Sequence, residues 1–268
     1  MQRGIGRFAL AAALAAGTAL VAAPALAQPA GVTKNEVKCE SGTGKTLSKL
    51  AGALGKCAQK CLATARKTSG PYTECFPPYT GAMAACVNDP VKGATTKAAA
   101  GIVKACTADC PECYPASVCT SGQPFVNNTS GLLGTFGTLV YCMEAAGQSP
   151  SKDQAKCADG ASKTLAKFAA SKSKCYDKCQ QSVFSGKLPE GSCNPPTPTH
   201  AATAACILKA EQKSVATIDK GCAVAKPTCW DGVVIPNSGT GWTALAEAAV
   251  DIQVPIIGCG SPSGAFLD

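Results

Sequence analysis

Histidine is almost missing from this chain: His200 is the only one in 268 residues. A histidine-activated serine or cysteine nucleophile could use no other residue, and a zinc site could draw on no second histidine. A single C-x-x-C, Cys110-Pro111-Glu112-Cys113, is present, so metal binding fits poorly and no cofactor is expected. Arginine is nearly as scarce, with only Arg66 beyond residue 27. Planar guanidinium forks are what phosphate and nucleic-acid recognition usually favour, so their lack argues against a nucleic-acid partner. Aromatic residues are 5% of the chain, which limits how much of a core large side chains can fill. Beyond residue 27 there is no apolar stretch of the ~20 residues that a membrane-spanning helix requires.

Residues 1–27 read as a secretory signal. Arg3 and Arg7 give a positive start, Phe8 to Ala23 an Ala/Leu-rich run, and Ala25-Leu26-Ala27 an A-x-A cleavage site before Gln28. Gly17, Thr18 and Pro24 dilute and end that run, which disfavours a spanning helix. No cysteine follows the cleavage site, which speaks against a bacterial lipid anchor. The expectation is an exported protein, periplasmic or extracellular. Without Arg3 and Arg7 the 25 basic residues become 23 against 17 acidic, a net charge of +6. A surplus carried by lysine is mostly a matter of solubility.

What the chain has in abundance is cysteine. All 18 lie after residue 27, and the number is even. In an oxidising compartment this reads as a disulfide framework.

The cysteines also expose a tandem repeat. Cys39, Cys57, Cys61 and Cys75 recur 118 residues later as Cys157, Cys175, Cys179 and Cys193. Cys86, Cys106, Cys113 and Cys142 match Cys206, Cys222, Cys229 and Cys259 with small gaps. Lys45, Lys49, Lys56 and Lys60 recur as Lys163, Lys167, Lys174 and Lys178. Two cysteine-rich helical repeats are expected, 28–149 and 150–268, meeting near Gly147-Gln148-Ser149-Pro150.

Each repeat opens with an amphipathic helix. At roughly 100° per residue, the four lysines of the first repeat share one face, and Leu47, Leu50, Leu54, Cys57 and Cys61 the opposite one. The second repeat repeats this with Leu165, Phe168, Cys175 and Cys179. Thr43 and Asp159 are the expected N-caps, with Gly70 and Gly186 closing the helices. After a Pro-rich loop come further helices, near 80–87 and 91–108 in the first repeat and 199–224 in the second. Others are expected near 130–146 and 242–253, with a short extended piece at 233–235. The fold class expected is mainly all-α, as tandem disulfide-stapled antiparallel helical hairpins with loop-rich tails.

Ladder arithmetic restricts the pairing. From Cys157 to Cys175 is roughly 27 Å along a helix and from Cys206 to Cys222 roughly 24 Å, so Cys175 pairs with Cys206 and Cys157 with Cys222. Using Cys179 instead would miss by roughly 9 Å. That leaves Cys179–Cys193 and Cys229–Cys259. Internal homology then gives Cys57–Cys86, Cys39–Cys106, Cys61–Cys75 and Cys113–Cys142. Cys110 and Cys119, which have no counterpart, form the ninth pair.

The helix Lys56–Cys61 with its loop Cys75–Pro78, repeated as Lys174–Cys179 with Cys193–Pro196, resembles uncharacterised cysteine-rich exported proteins of environmental Gram-negative bacteria. That resemblance implies architecture and no activity. The eight-cysteine plant lipid-transfer type is a weaker comparison, since its adjacent Cys-Cys and C-x-C are missing here.

Sites are correspondingly sparse. Ser41-Gly42-Thr43-Gly44-Lys45-Thr46 imitates the end of a phosphate-binding loop, but Cys39 stands where glycine is needed. Asn127-Asn128-Thr129-Ser130 holds two glycosylation sequons. Glu247 and Asp251 share a helix face, as many solvated pairs do. The expectation is a non-enzymatic binding or structural module, with the lysine faces as candidate surfaces for an acidic surface or protein partner. Two alternatives stay open: an apolar-ligand or lipid carrier with a cavity between the helices of each repeat, and a thiol-disulfide oxidoreductase using Cys110 and Cys113.

Overall fold

A capping box starts each of the two long helices. The computed structural model describes residues 33–189 and 191–259; the signal expected at 1–27 lies outside the described residues. Thr33 Oγ1 accepts from the Glu36 N–H at 3.1 Å while the Glu36 carboxylate accepts from the Thr33 N–H at 2.6 Å. Helix α1 then runs Lys34–Thr68. Ser151 and Gln154 repeat the arrangement and open α7, Lys152–Phe184. Each cap satisfies two N–H groups that the first turn would leave unpaired. The expected caps at Thr43 and Asp159 are therefore corrected: both residues lie well inside their helices. The phosphate-loop imitation, Ser41–Thr46, is also helical throughout. Gly42 has its own reason to be there, because a Cβ would stand 2.5 Å from that of Ala105 on the crossing helix.

Between the long helices the first repeat, a name kept for residues up to 149 on their recurring cysteine pattern alone, folds as α2 (Gly81–Asn88), α3 (Ala94–Ala105), α4 (Ala116–Ser121), α5 (Gln123–Val140) and α6 (Cys142–Ala145). The second repeat adds α8 (Ala201–Gly221) and α9 (Gly239–Ile257). A 3-10 turn, Tyr72–Cys75, leads into the Pro-rich loop of the first repeat. The described residues contain no strand, so the fold is all-α. No helix among them is long and apolar enough to cross a membrane. The piece expected to be extended, 233–235, is a bend instead. There the Asp231 carboxylate accepts from the N–H groups of Val233, Val234 and Ile235. The helix expected at 130–146 starts earlier, at Gln123, with Pro124 in its first turn where a missing N–H costs nothing.

Seven bridges join the residues that ladder spacing, homology and elimination pair: Cys39–Cys106, Cys57–Cys86, Cys61–Cys75, Cys110–Cys119, Cys157–Cys222, Cys175–Cys206 and Cys179–Cys193. The remaining two are corrected. Cys113 bonds Cys259 and Cys142 bonds Cys229, so each tail is tied to the other repeat rather than to its own. Repeat symmetry could not have decided this. Exchanging partners between equivalent cysteines preserves the symmetry as well as pairing them at home does.

The core explains the exchange. Leu62, Tyr72 and Tyr141 of the first repeat pack in one cluster with Leu165, Phe168 and Trp242 of the second. Trp230 packs against Trp242 with ring centroids 4.9 Å apart and planes tilted by 57°, and it donates its indole N–H across the boundary to the Val140 carbonyl at 3.2 Å. In return, Cys259 and Ile257 of the second repeat join Tyr114 and Phe125 in the core of the first. The Tyr114 hydroxyl donates to the Ile257 carbonyl. Burying a large apolar side chain stabilises by about 1.5–3 kcal/mol, and much of that burial here requires both repeats.

Candidate functional site: an apolar cavity between the repeats

Four helices leave a space where they meet. On α1, Ala51, Gly55 and Ala58 recur at i, i+4, i+7, and on α7, Ala166, Ala169, Ala170 and Ser173 do the same. These side chains end at or near Cβ, so the two long helices meet without filling the volume between them. Leu132, Leu133, Phe136 and Gly137 of α5 close one side. Ala246, Ala249, Val250 and Ile257 of α9 close another, and Phe76 and Pro77 come from the Pro-rich loop. The resulting half-enclosed cavity has a volume of about 170 Å³, and no charged residue lines it. The interior is thus not filled, and its opening lies between the repeats rather than within each one. A dry apolar cavity of about 150 Å³ is known to accept benzene, which sets the scale.

Its few polar groups are uncharged. Ser48 Oγ donates to the Gly44 carbonyl at 2.9 Å, and the Gln253 side-chain oxygen accepts from Asn128 at 3.4 Å. Tyr141 is only 1% exposed, and its buried hydroxyl lies among the side chains of Asp159, Ser162 and Gln59 rather than in the open space. Burial, reinforced by the nearby Asp159 charge, pushes that phenol's pKa well above its usual value and keeps it protonated.

Two ionic clusters flank the cavity. Behind Tyr141, the Arg66 guanidinium reaches Glu144 at 2.5 Å and Asp159 at 2.8 Å, joining the repeats. Burial alone would lower the Arg66 pKa, but its hydrogen bonds to Asp159 and Glu144, with their charges, outweigh this and raise it. On the other side the Lys172 ammonium, 0% exposed, lies 2.6 Å from Glu247 and 2.7 Å from Asp251, and Tyr176 donates to Asp251 at 3.2 Å. This cluster fixes α9, one wall of the cavity, to α7. Burial raises the Asp251 pKa despite the opposing pull of Lys172. Burial likewise holds Glu211, beside Glu247, up at about 7.

The residues singled out from the sequence are scattered around this site. All eight stripe lysines (Lys45, Lys49, Lys56, Lys60, Lys163, Lys167, Lys174, Lys178) are exposed. None of them forms an ion pair among the described residues. Cys110 and Cys113, adjacent in the C-P-x-C, belong to different bridges. Cys39, Cys106 and Cys119 bring their sulfurs within 4.8 Å of one another, but sulfur committed to a disulfide offers no thiolate to a metal. His200 occupies the N-cap position of α8 without a side-chain bond to the helix backbone, its Nδ1 lying 2.9 Å from the Thr203 hydroxyl. Asn127 and Asn128 fall within α5.

Sequence reasoning passed over Lys172 and dismissed Glu247 and Asp251 as a solvated pair. The signal was available: Lys172 lies nine residues after Lys163, roughly 180° from the lysine stripe and on the buried face. The small residues of the cavity gave none, since alanine fills helix faces of every kind. No protein-family model, no curated protein and no solved structure matches this chain.

Proposed function

We propose that this chain is an exported, non-enzymatic binding protein that carries or sequesters a small, uncharged, apolar molecule in the cavity between its repeats. The observation that carries this reading is the cavity itself, about 170 Å³ with no charged residue in its lining. Proteins pack to the density of organic crystals, so a space of this size is a cost that ligand contacts would offset. Its walls come from α1, α5, α7 and α9, which the bridges Cys142–Cys229 and Cys113–Cys259 help hold together. No cysteine is left free among the described residues, which suits an oxidising compartment.

The test is to purify the protein from its own host without detergent and extract it with organic solvent. Mass spectrometry of the extract should reveal a defined uncharged molecule near one equivalent. Ala169→Phe, which places a ring in the cavity, should lose it, and Gly55→Leu should do so from the opposite helix. Equal recovery from the wild type and from both folded variants would defeat the proposal.

A further inference from the structure

The two lysine stripes, one on each long helix, become a single surface in the folded protein. Helices α1 and α7 pack antiparallel. Gln181, near the end of α7, donates to Ser41, near the start of α1, at 3.3 Å, and Arg66, near the end of α1, meets Asp159, near the start of α7, at 2.8 Å. This register sets Lys45 level with Lys178, Lys49 with Lys174, Lys56 with Lys167 and Lys60 with Lys163. Packed helices lie about 8–10 Å apart, so the eight exposed ammonium groups form four rungs along roughly 22 Å of helix. Both stripes also point the same way. On α1 the cavity-lining face, with Leu47, Ala51 and Ala58, is turned roughly 150° from the lysines, and α7 gives the same cavity its equivalent Leu165 and Ala169. Two helices that turn equivalent faces to one cavity turn their lysines together to the opposite side of the layer. The only acidic residues of α1, Glu36 and Glu40, are buried away from this side. From α7, Asp159, engaged by Arg66, and Asp177 stand at its inner edge. Gly52, Ala63 and Ala170 lie between the lysines and keep the face low in relief.

We propose that this eight-lysine face docks the protein peripherally on an anionic lipid surface, with the cavity on the side away from the bilayer. The composition of the face selects that partner. A protein interface is anchored by large apolar or aromatic side chains at its centre, where lysine is depleted, and no leucine, phenylalanine or tyrosine of α1 or α7 points to this side. Nucleic acid would be met by guanidinium forks or stacking rings, and the face has neither. A plane of mobile anionic head groups needs only point charges held level with one another, each on a stem long enough to adjust. With no apolar side chain to insert, the attachment is electrostatic, reversible and sensitive to salt. It holds whether or not the cavity carries a ligand.

The experiment sediments the oxidised protein, purified from its own host, with vesicles of phosphatidylcholine alone and of an equimolar mixture with phosphatidylglycerol. The wild type should bind the anionic vesicles in preference, and about 1 M salt, where the Debye length is about 3 Å, should abolish that preference. A lysine close to such a surface is worth about fivefold in partitioning. Lys49→Gln, Lys56→Gln, Lys167→Gln and Lys174→Gln together should therefore weaken binding to the anionic vesicles by at least about tenfold, with binding to the neutral ones unchanged. Lys92→Gln, Lys104→Gln, Lys209→Gln and Lys213→Gln remove the same charge from outside α1 and α7 and should weaken it far less. Equal binding of the wild type to both kinds of vesicle, or an equal loss in the two variants, overturns the proposal. Retention on polyglutamate with none on anionic vesicles assigns the face to an acidic polymer and overturns it too.

Discussion

Lys172 stands in the second repeat where Leu54 stands in the first, at the same 118-residue offset that separates Cys157 from Cys39. Leu54 is 4% exposed in an apolar core, and Lys172 is wholly buried with its ammonium between Glu247 and Asp251. One scaffold position thus holds a purely apolar contact in one copy and an ionic clamp in the other. The clamp secures α9, which in turn walls the cavity.

Removing the cation should therefore cost more than removing ordinary packing. Lys172→Met leaves Asp251 and Glu247 without their counter-charge, and breaking a buried pair this way costs about 3–5 kcal/mol, towards the lower end here because Glu247 is partly exposed. Denaturant unfolding under non-reducing conditions measures it. Adding Glu247→Gln and Asp251→Asn to Lys172→Met should recover more than half of the loss. A loss that persists in full would mean that packing, not charge, fixes α9.

Glu40 gives the stability a pH dependence. The side chain is buried, one of its carboxylate oxygens has no hydrogen-bond partner, and burial, helped by the Glu36 charge, raises its pKa to about 8. The folded protein therefore keeps a proton that the unfolded chain releases near pH 4.3. Its contribution is fully present below that pH and is lost as pH rises towards about 8. Glu211, raised to about 7 by burial and the neighbouring Glu247, acts in the same sense over a narrower window. Asp89 and Asp231 are shifted downwards by backbone N–H groups and titrate below this range. The expected result is lower unfolding stability at pH 8 than at pH 5. Glu40→Gln should remove the part extending beyond pH 7. A stability that rises across this interval would refute the assignment.

Helix periodicity and cysteine spacing were enough to read the all-α class, the two lysine faces and seven of the nine bridges, because each depends on local geometry. The expected caps Thr43 and Asp159 fall inside their helices because the capping-box residues Thr33, Glu36, Ser151 and Gln154 lie further upstream. Within these helices glycine is tolerated at about 1 kcal/mol, and Gly42 allows α1 and α3 to touch. The cavity was illegible for a different reason. It arises from how four helices from two repeats converge, and no single helix encodes that distance.

The exchanged bridges are directly testable. Digestion of the oxidised protein followed by mass spectrometry should yield peptides linking Cys113 to Cys259 and Cys142 to Cys229. Peptides linking Cys113 to Cys142 would restore two self-contained repeats. The stabilisation should also be smaller than the sequence separation suggests. The Cys142–Cys229 separation is 87 residues, but Cys157–Cys222 already shortcuts it. What remains is fifteen residues from Cys142 to Cys157 and seven from Cys222 to Cys229. The chain-entropy relation gives about 3.5 kcal/mol for a loop of that length, against about 4.6 for the full separation. The paired substitution Cys142→Ala and Cys229→Ala should cost nearer the smaller figure in reversible unfolding.

Gly55 distinguishes a useful cavity from a packing fault. It lies within α1 on the cavity wall, and a Cβ built there meets nothing within 4 Å. Alanine in a helix interior is favoured over glycine by about 0.5–1 kcal/mol, so Gly55→Ala should stabilise the protein by that amount. Gly137 on the facing α5 is equally unobstructed and should respond alike. Both substitutions intrude on the space by a methyl group, so combining them should weaken binding of a small apolar probe, p-xylene, even as unfolding stability rises. That opposition is the signature of a cavity kept open for an occupant. Stabilisation with no change in binding would put the ligand elsewhere, and destabilisation by more than about 1 kcal/mol would mean that the methyl groups have no room.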